Sequence, residues 1–399
     1  MQKNWQRNTW LMAFCVLCTS ASYTMLIPFL PLYLLDLGTP EADVPFWSSA
    51  VFSITFCIAA IMAPIWGRIA DRYGRKKMAV RACIGLTLSY AVGGLVTSPE
   101  GLFGMRILQG FANGFIAAVL AITAAIAPRQ QLGVAIGTIQ TGQITGSVMG
   151  PLIGGVLAHL VGMRTSFFLA AGFLALATLL VIVFLETPPT PTQSEKTSAA
   201  SGSLLADFHY AWQNKALLAM LLLCAVVNMA NMVLQPVISL YVAELQGTME
   251  NVALNSGIVF SLGGIAGALS TRFWGRFGQT NGYYRAMGLA FLGAGACLFL
   301  QYFPTELYGF AVLQFAFGLM MAGTMPAINA VMVEVTPADF HGRVFGLTSS
   351  ANQTGAMLGP IIGGLLSTAL GIRPIFLVTG TLLLLLGTVL WQRRKHTGK

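Results

Sequence analysis

The chain has 399 residues, 56% of them hydrophobic and only 9% charged, where an ordinary soluble domain carries about a quarter charged. So few charges cannot cover a water-facing surface at this length, which excludes a cytosolic enzyme, a nucleic-acid-binding domain and a disordered regulator. A mean hydropathy of +0.73 and 44 glycines point to helices packed closely in lipid, so the net charge of +9 is a question of where basic residues sit relative to a bilayer.

A spanning helix takes about 20 apolar residues. Apolar runs between polar or Gly/Pro breaks predict twelve: 9–36, 46–69, 77–97, 100–127, 131–158, 164–185, 215–245, 252–274, 284–303, 306–335, 343–369 and 373–391. The first run is too long for a signal-peptide core and has no A-x-A-like site before a hydrophilic domain, so it is expected to stay as the first span. Glu186 to Asn214, opening ETPPTPTQSEKTSAASGS, is rich in Pro, Ser, Thr and charge and reads as a flexible cytoplasmic linker. It separates two bundles of six helices, 1–185 and 215–399. The six cysteines all fall in apolar runs. Cys15-x-x-Cys18 lacks a second ligand pair, so no metal is expected.

The two halves repeat. A shift of 208 or 209 residues aligns Pro28-Phe-Leu-Pro-Leu-Tyr33 with Pro236-Val-Ile-Ser-Leu-Tyr241, and Asp36 with Glu244. The same shift aligns Trp66-Gly67-Arg68 with Trp274-Gly275-Arg276, Gly150-Pro151 with Gly359-Pro360, and Gly162-Met-Arg164 with Gly371-Ile-Arg373. Two parallel six-helix repeats about an axis along the membrane normal form the architecture of a rocking secondary transporter. With both termini inside, only Arg164 and Arg373 lie outside and Arg106 within a span, and all other Lys and Arg fall on the inner side. The positive-inside bias selects this orientation.

Four motifs carry chemistry. Between the second and third spans runs Gly67-Arg68-Ile-Ala-Asp71-Arg72-Tyr-Gly74-Arg75-Lys76-Lys77. A basic inner loop alone explains its last residues but not the spacing of Gly67, Asp71 and Gly74. The fourth span carries Arg106-Ile-Leu-Gln109-Gly110-Phe-Ala-Asn113-Gly114. A charge there costs at least ~2.5 kcal/mol by insertion scales; Arg106 either faces a central cavity with Gly110 and Asn113 or snorkels to the outer surface. Its repeat partner is Gln314. The fifth span carries Gly146-Ser-Val-Met-Gly150-Pro151-Leu-Ile-Gly154-Gly155, echoed by Gly355 to Gly364, and the first carries Pro28-Phe-Leu-Pro31.

Together these resemble the major facilitator superfamily, and within it the twelve-helix drug:proton antiporters, notably bacterial multidrug resistance efflux proteins. The stretch from Val51 to Arg81 is especially similar to exporters of unrelated small drugs. The resemblance implies an all-α membrane protein with 12 transmembrane helices in two pseudo-symmetric six-helix bundles. In the family, Gly67, Arg68, Asp71, Arg72, Gly74 and Arg75 would form a latch that holds the cytoplasmic side shut. The second-half copy has Gln279 in place of the Asp, so the latch is expected to be asymmetric. Arg106 would tune or relay proton binding. Gly146, Gly150, Pro151, Gly154 and Gly155 would mark an exporter and pack tightly against the other half. The resemblance also implies a protein of the bacterial cytoplasmic membrane, acting as a monomer on protons and a small-molecule substrate, with no cofactor.

By the same analogy, spans one, four, seven and ten line the cavity. Candidates at helical spacing are Tyr23, Phe29, Tyr33, Asn113, Asn228, Asn231, Met232, Gln235, Phe317, Met321, Met325 and Asn329. Met and aromatic side chains repack at low cost around varied apolar ligands; each residue is alternatively inter-helix core or lipid contact. No carboxylate falls at mid-membrane. Asp36, Glu244 and Glu334 lie at span ends, where each reads either as a solvated end or, for Asp36 and Glu334, as a partner of Asp71 and Arg106 in proton exchange. A dedicated exporter of one metabolite, such as a siderophore or sugar, is the rival transporter reading. No H-E-x-x-H, G-x-S-x-G or G-x-x-x-x-G-K-[ST] occurs, and His159 and His341 stand alone at span ends, so no enzyme is expected.

Overall fold

The computed structural model describes residues 5–185, 204–337 and 340–393, apart from the side chains at 71, 129, 204–208, 341, 342, 345 and 393. These residues are helical, with no strand among them. In chain order the helices are α1 Trp5–Met25, α2 Leu30–Asp36, α3 Val44–Tyr73, α4 Arg75–Leu95, α5 Pro99–Ala112, α6 Phe115–Ile126, α7 Leu132–Val161 and α8 Met163–Phe184. There follow α9 Leu204–Gln213, α10 Lys215–Gln246, α11 Val252–Asn281, α12 Tyr283–Leu300, α13 Leu307–Met321, α14 Thr324–Glu334, α15 His341–Leu370 and α16 Pro374–Arg393.

Ten spans among the described residues are long and apolar enough to cross a membrane, and eleven when α1 and α2, bent by 51°, count as one. The remaining helix at an expected span is α15. It has 30 residues but carries Thr348-Ser-Ser-Ala-Asn352-Gln-Thr354, which lowers its apolarity. Three expected spans are interrupted. Pro28 and Pro31 divide the first into α1 and α2. The fourth divides at Asn113–Gly114, where Gly114 takes φ 116°. The tenth divides at Ala322–Gly323.

Within the expected linker, 186–203 lies outside the described residues, whereas Leu204–Gln213 is helical. Its apolar residues explain this, since the Pro/Ser composition ends before them. Tyr210 packs against Phe340 at 4.3 Å between ring centroids, and Asn214 Nδ2 donates to the Val335 carbonyl at 3.2 Å.

The sequence repeat is also a repeat of structure. α3 and α11, α4 and α12, α5 and α13, α6 and α14, and α7 and α15 start 208 or 209 residues apart. The turn glycines Gly74 and Gly282 have φ of 100° and 92°. Tyr33 Oη donates to the Gly93 carbonyl and Tyr241 Oη to the Gln301 carbonyl, both at 3.0 Å.

The chain divides into two compact units. The first comprises 1–192 with Ala253–Ser261, and the second 193–252 with Leu262–Lys399. In the first, α1 lies along α7, α4 along α8 and α3 along α5. Phe29, Tyr33, Tyr90 and Phe167 cluster in its core. In the second, α10 lies along α15 and α12 along α16, with Tyr241, Phe310 and Phe376 packed together.

The closest approach in each unit is a glycine ladder. A Cβ at Gly142, Gly146, Gly150 or Gly154 of α7 would run into α1 backbone at Ala13, Leu17, Ala21 or Met25 respectively. Both series step by four, so the i±4 rows of the helices interlock with backbone in contact. In the second unit Gly355, Gly359 and Gly363 of α15 meet α10 at Ala225, Met229 and Val233 in the same way. For Gly146, Gly150 and Gly154 this corrects the expectation that the exporter-motif glycines pack against the other half of the chain, since these three join two helices of one unit. Gly155 faces Ala253 and Leu254, the part of α11 that belongs to the first unit. Pro151 offers its carbonyl where a Cβ at Gly257 would sit, and Ser261 Oγ donates to the Val148 carbonyl at 2.8 Å.

Gly154→Val should therefore destabilise the purified protein by ~1–3 kcal/mol through overpacking. Gly137→Val on the same helix, where nothing lies within 4 Å of an added Cβ, should stay near the wild type. Thermal unfolding in detergent measures both, and equal melting of the two variants contradicts the ladder.

Candidate functional site

The motif between α3 and α4 turns at Gly74, whose positive φ of 100° favours a residue without Cβ. Gly67, Arg68 and Arg72 occupy exposed positions in the last turns of α3. Arg75 and Lys76 are not merely solvated. Arg75 Nη1 donates to the Ala121 carbonyl of α6 at 2.8 Å, and Lys76 Nζ donates to the carbonyls of Ile182 at 3.2 Å and of Leu185. Cations at carbonyl ends of helices are favourable, so Lys76 caps the C-terminal end of α8 while Arg75 ties the same loop to α6. The side chain of Asp71 lies outside the described residues.

Arg106 does not snorkel. It is 1% exposed, and its Nη1 donates to Gln109 Oε1 at 2.8 Å, one turn along the same helix. Gln109 Nε2 donates to Tyr90 Oη at 3.1 Å, and Tyr90 Oη donates to the Ser22 carbonyl at 2.8 Å. The guanidinium carbon stands 5.4 Å from the Phe52 ring centre, and Tyr23 and Tyr90 lie within its electrostatic reach. Its Nε and Nη2 are buried without a hydrogen-bond partner, as is Tyr23 Oη. Gly110 lets α5 settle onto α3, since a Cβ there would lie 2.6 Å from the Thr55 carbonyl, and Thr55 Oγ1 donates to the Arg106 carbonyl at 3.3 Å. The face of α5 that carries Arg106 is thus packed against α3. Of the three guanidinium nitrogens, only Nη1 has a hydrogen-bond partner.

The broken fourth span forms a second polar centre that the sequence does not announce. Arg81 Nη1 donates to the Phe111 carbonyl at 3.0 Å and Nη2 to the Asn113 carbonyl at 2.9 Å. Trp66 Nε1 also donates to the Phe111 carbonyl, at 2.9 Å. The Arg81 guanidinium carbon lies 3.8 Å from the Trp66 ring centre. Arg81 belongs by sequence with the inner-side charges next to Arg75–Lys77; in the structure its head reaches the middle of the 28-residue span Pro99–Ile126.

The substrate candidates separate. Phe29 and Tyr33, expected to face a cavity, are 0% exposed and pack on Phe167 with ring centroids at 5.8 and 5.2 Å; they belong to the core. Phe317 and Met321 are also buried, at 5% and 9% exposure. Tyr23 is half-buried, edge-on to Phe56 at 6.2 Å. Asn113 is exposed at the helix break, where its Oδ1 accepts from the Gly114 N–H at 2.6 Å. In the second unit Asn228 Nδ2 donates to Asn352 Oδ1 at 2.6 Å, and Met325 Sδ lies 4.0 Å from Cys224 Sγ. Gln235 Oε1 and Asn329 Oδ1 are buried without partners, and Asn231 and Met232 are half-buried. Asn352 was not anticipated; the polar run 348–354 within an apolar span was its signal.

The carboxylates stay at the ends. Asp36 closes α2 and Glu334 closes α14, both exposed. Glu244 accepts from Arg373 Nε at 2.7 Å, and this hydrogen bond raises the Arg373 guanidinium further above its ordinary range. Tyr33 lies beside Asp36 and Arg164 as Tyr241 lies beside Glu244 and Arg373. Glu244 thus has a structural partner at the C-terminal end of α10.

Known proteins resemble the chain over its whole length. The profile of the Major Facilitator Superfamily matches residues 12–300 and 256–399. The uncharacterized MFS-type transporter YuxJ of Bacillus subtilis is 35% identical, over 97% of each chain. The multidrug resistance protein MdtG of Enterobacter lignolyticus is 33% identical, over 96% of this chain and 90% of the relative. Among solved structures, a bacterial homologue of the human lysosomal transporter Spinster superposes with a TM-score of 0.83 at 14% identity, over 98% of this chain and 97% of the other. The nucleoside transporter NupG does so at 0.75 and 15%, over 99% and 100%. At such identity these two speak for the fold alone.

Gln109→Leu removes the one side-chain acceptor of a buried guanidinium and is expected to destabilise by at least ~1–3 kcal/mol. Tyr90→Phe, which leaves that acceptor in place, should lose less. Thermal unfolding in detergent ranks them, and a Gln109→Leu protein as stable as the wild type contradicts the network.

Proposed function

Because the chain belongs to the major facilitator superfamily of multi-pass membrane transporters, we propose that it exports small lipophilic drugs in exchange for protons by alternating access. Its relatives named multidrug resistance protein, 32–33% identical across nearly the whole chain, support the drug class. The observation that carries proton coupling is Arg106, fully buried with two nitrogens unpartnered. A cation held in that state responds strongly to any charge that arrives or leaves nearby, because the low-dielectric surroundings screen little. Met232, Met325 and Tyr23 supply adaptable apolar contacts, and Asn113, Asn228, Asn231 and Gln235 supply polar ones.

In this reading the protein works as a monomer in the bacterial cytoplasmic membrane with both termini inside, and uses protons and small molecules but no cofactor or nucleic acid. The loop at Gly67–Lys77 serves as the cytoplasmic gate, with Asp71 its carboxylate. Asp36 and Glu334, exposed at helix ends, are secondary candidates for proton exchange; Arg106 is the first.

Inverted vesicles carrying the protein should accumulate fluorescent lipophilic dyes when made acid inside, and a protonophore should abolish this. Arg106→Ala should reduce the gradient-driven rate at least tenfold, the ~1.4 kcal/mol equivalent of losing one charge-assisted hydrogen bond. Uptake that ignores the gradient rules out antiport. If Arg106→Ala, Asp36→Asn and Glu334→Gln all transport normally, the coupling residues lie elsewhere.

A further inference from the structure

Where α5 stops, the carbonyls of Phe111 and Asn113 lose the donors that a continued helix would bring, and the helix C-terminus adds partial negative charge. The indole of Trp66 flanks the same spot, edge-on to Phe111 with ring centroids at 5.0 Å. Two carbonyls, a helix C-terminus and an aromatic face each attract a cation. What fills this cradle is a cation of the chain itself: Arg81 bonds both carbonyls through its two terminal nitrogens and lies 3.8 Å from the indole centre.

Two further observations separate this arrangement from ordinary helix capping. Arg81 Nε is buried with no partner, so the side chain satisfies the cradle while its own third donor goes unmet. In the second unit the corresponding break is closed without a cation. Leu289 stands at the repeat position of Arg81, Trp274 Nε1 donates to the Leu319 carbonyl at 2.7 Å, and the Trp274 ring fills the space that a Cβ at Gly323 would take, at 2.5 Å. Ser270 Oγ also donates to the Leu319 carbonyl and Thr324 Oγ1 to the Met321 carbonyl, so a Trp and two hydroxyls, all neutral, serve to close such a break. In the first unit Trp66 is accompanied by a charged group on a long, half-buried stem rooted about two turns from the inner end of α4.

We propose that the Trp66–Phe111–Asn113 cradle is a subsite for a planar organic cation of the amidinium or guanidinium class, with Arg81 its tethered occupant in this structure. Such a ligand presents two parallel N–H donors to the two carbonyls and a flat cationic face to the indole, as Arg81 does. Arg81 then sets specificity: a cationic substrate must displace it, whereas a neutral one need not. The inference rests on the transporter reading only in naming the occupant a substrate.

Equilibrium dialysis of the purified full-length protein against benzamidinium and its neutral isostere benzamide tests this without any proton gradient, so a failure of coupled transport leaves its result unaffected. Arg81→Met keeps the stem and removes the charge. It should bind benzamidinium about tenfold more tightly than the wild type, the scale of one desolvated cation–π contact, with benzamide unchanged. Trp66→Leu added to Arg81→Met should cancel the gain. Benzamidinium binding no tighter than in the wild type, or an equal gain for benzamide, overturns the proposal. Thermal unfolding shows which variants are folded, and Arg81→Gln, read by the same criteria, replaces Arg81→Met if that protein does not fold.

Discussion

A lipid bilayer offers no hydrogen bonds, so each polar group that a membrane-spanning helix cannot satisfy internally must find a partner within the protein. A continuous helix meets this requirement unaided. A broken one does not, and this chain breaks its fourth and tenth expected spans near their middles. The carbonyls freed at Phe111 and Asn113 are taken by Arg81 and Trp66, and those at Leu319 and Met321 by Trp274, Ser270 and Thr324. Tryptophan recurs because an indole supplies a donor to one of the freed carbonyls on a large apolar body that fills the space beside the break.

Against this economy Arg106 stands out. The same fold that finds partners for freed carbonyls leaves two donors of a buried cation without acceptors. The surroundings also constrain it, for Gly110 brings α5 against α3 and the Gln109–Tyr90–Ser22 chain fixes its one acceptor. Rigid supports around an incompletely satisfied charge suit a group that must respond to an arriving partner. The glycine ladders contribute to that rigidity: where α7 meets α1 and α15 meets α10, backbone lies against backbone, and close-packed contacts of this kind deform little.

Features that depend on hydropathy and backbone geometry were legible in the sequence. Runs of apolar residues located the spans, and Pro, Gly and Trp kept a common offset in two halves because turns, kinks and close contacts tolerate few substitutes. Facing was not legible. Phe29 and Tyr33 sit among apolar residues on every side, so their helix period does not distinguish a cavity from the Phe167 cluster. Asn113-Gly114 is a turn signal, but strongly apolar flanks outweighed it. Arg81 follows Arg75, Lys76 and Lys77 so closely that it read as one more inner-side charge; only the long reach of its stem carries the guanidinium to mid-span. Gln109 was part of a recognised pattern, yet its bond to Arg106 is an i, i+3 contact that stays hidden while a carboxylate is sought elsewhere.

Duplication explains the scaffold, and its imperfections locate the chemistry. Gly, Pro, Trp and Tyr positions that build the units are preserved between halves, whereas the two interior cations are not. Arg81 corresponds to Leu289 and Arg106 to Gln314. Gln314 makes a neutral bond instead, accepting from Gln301 Nε2 at 3.0 Å. The second unit answers polar needs with amides, including the Asn228–Asn352 pair. An amide contact changes little when a charge moves nearby, while a buried guanidinium changes greatly. The interior charge that departs from the repeat therefore lies in the first unit, at Arg81 and Arg106, where the second carries Leu289 and the amide of Gln314.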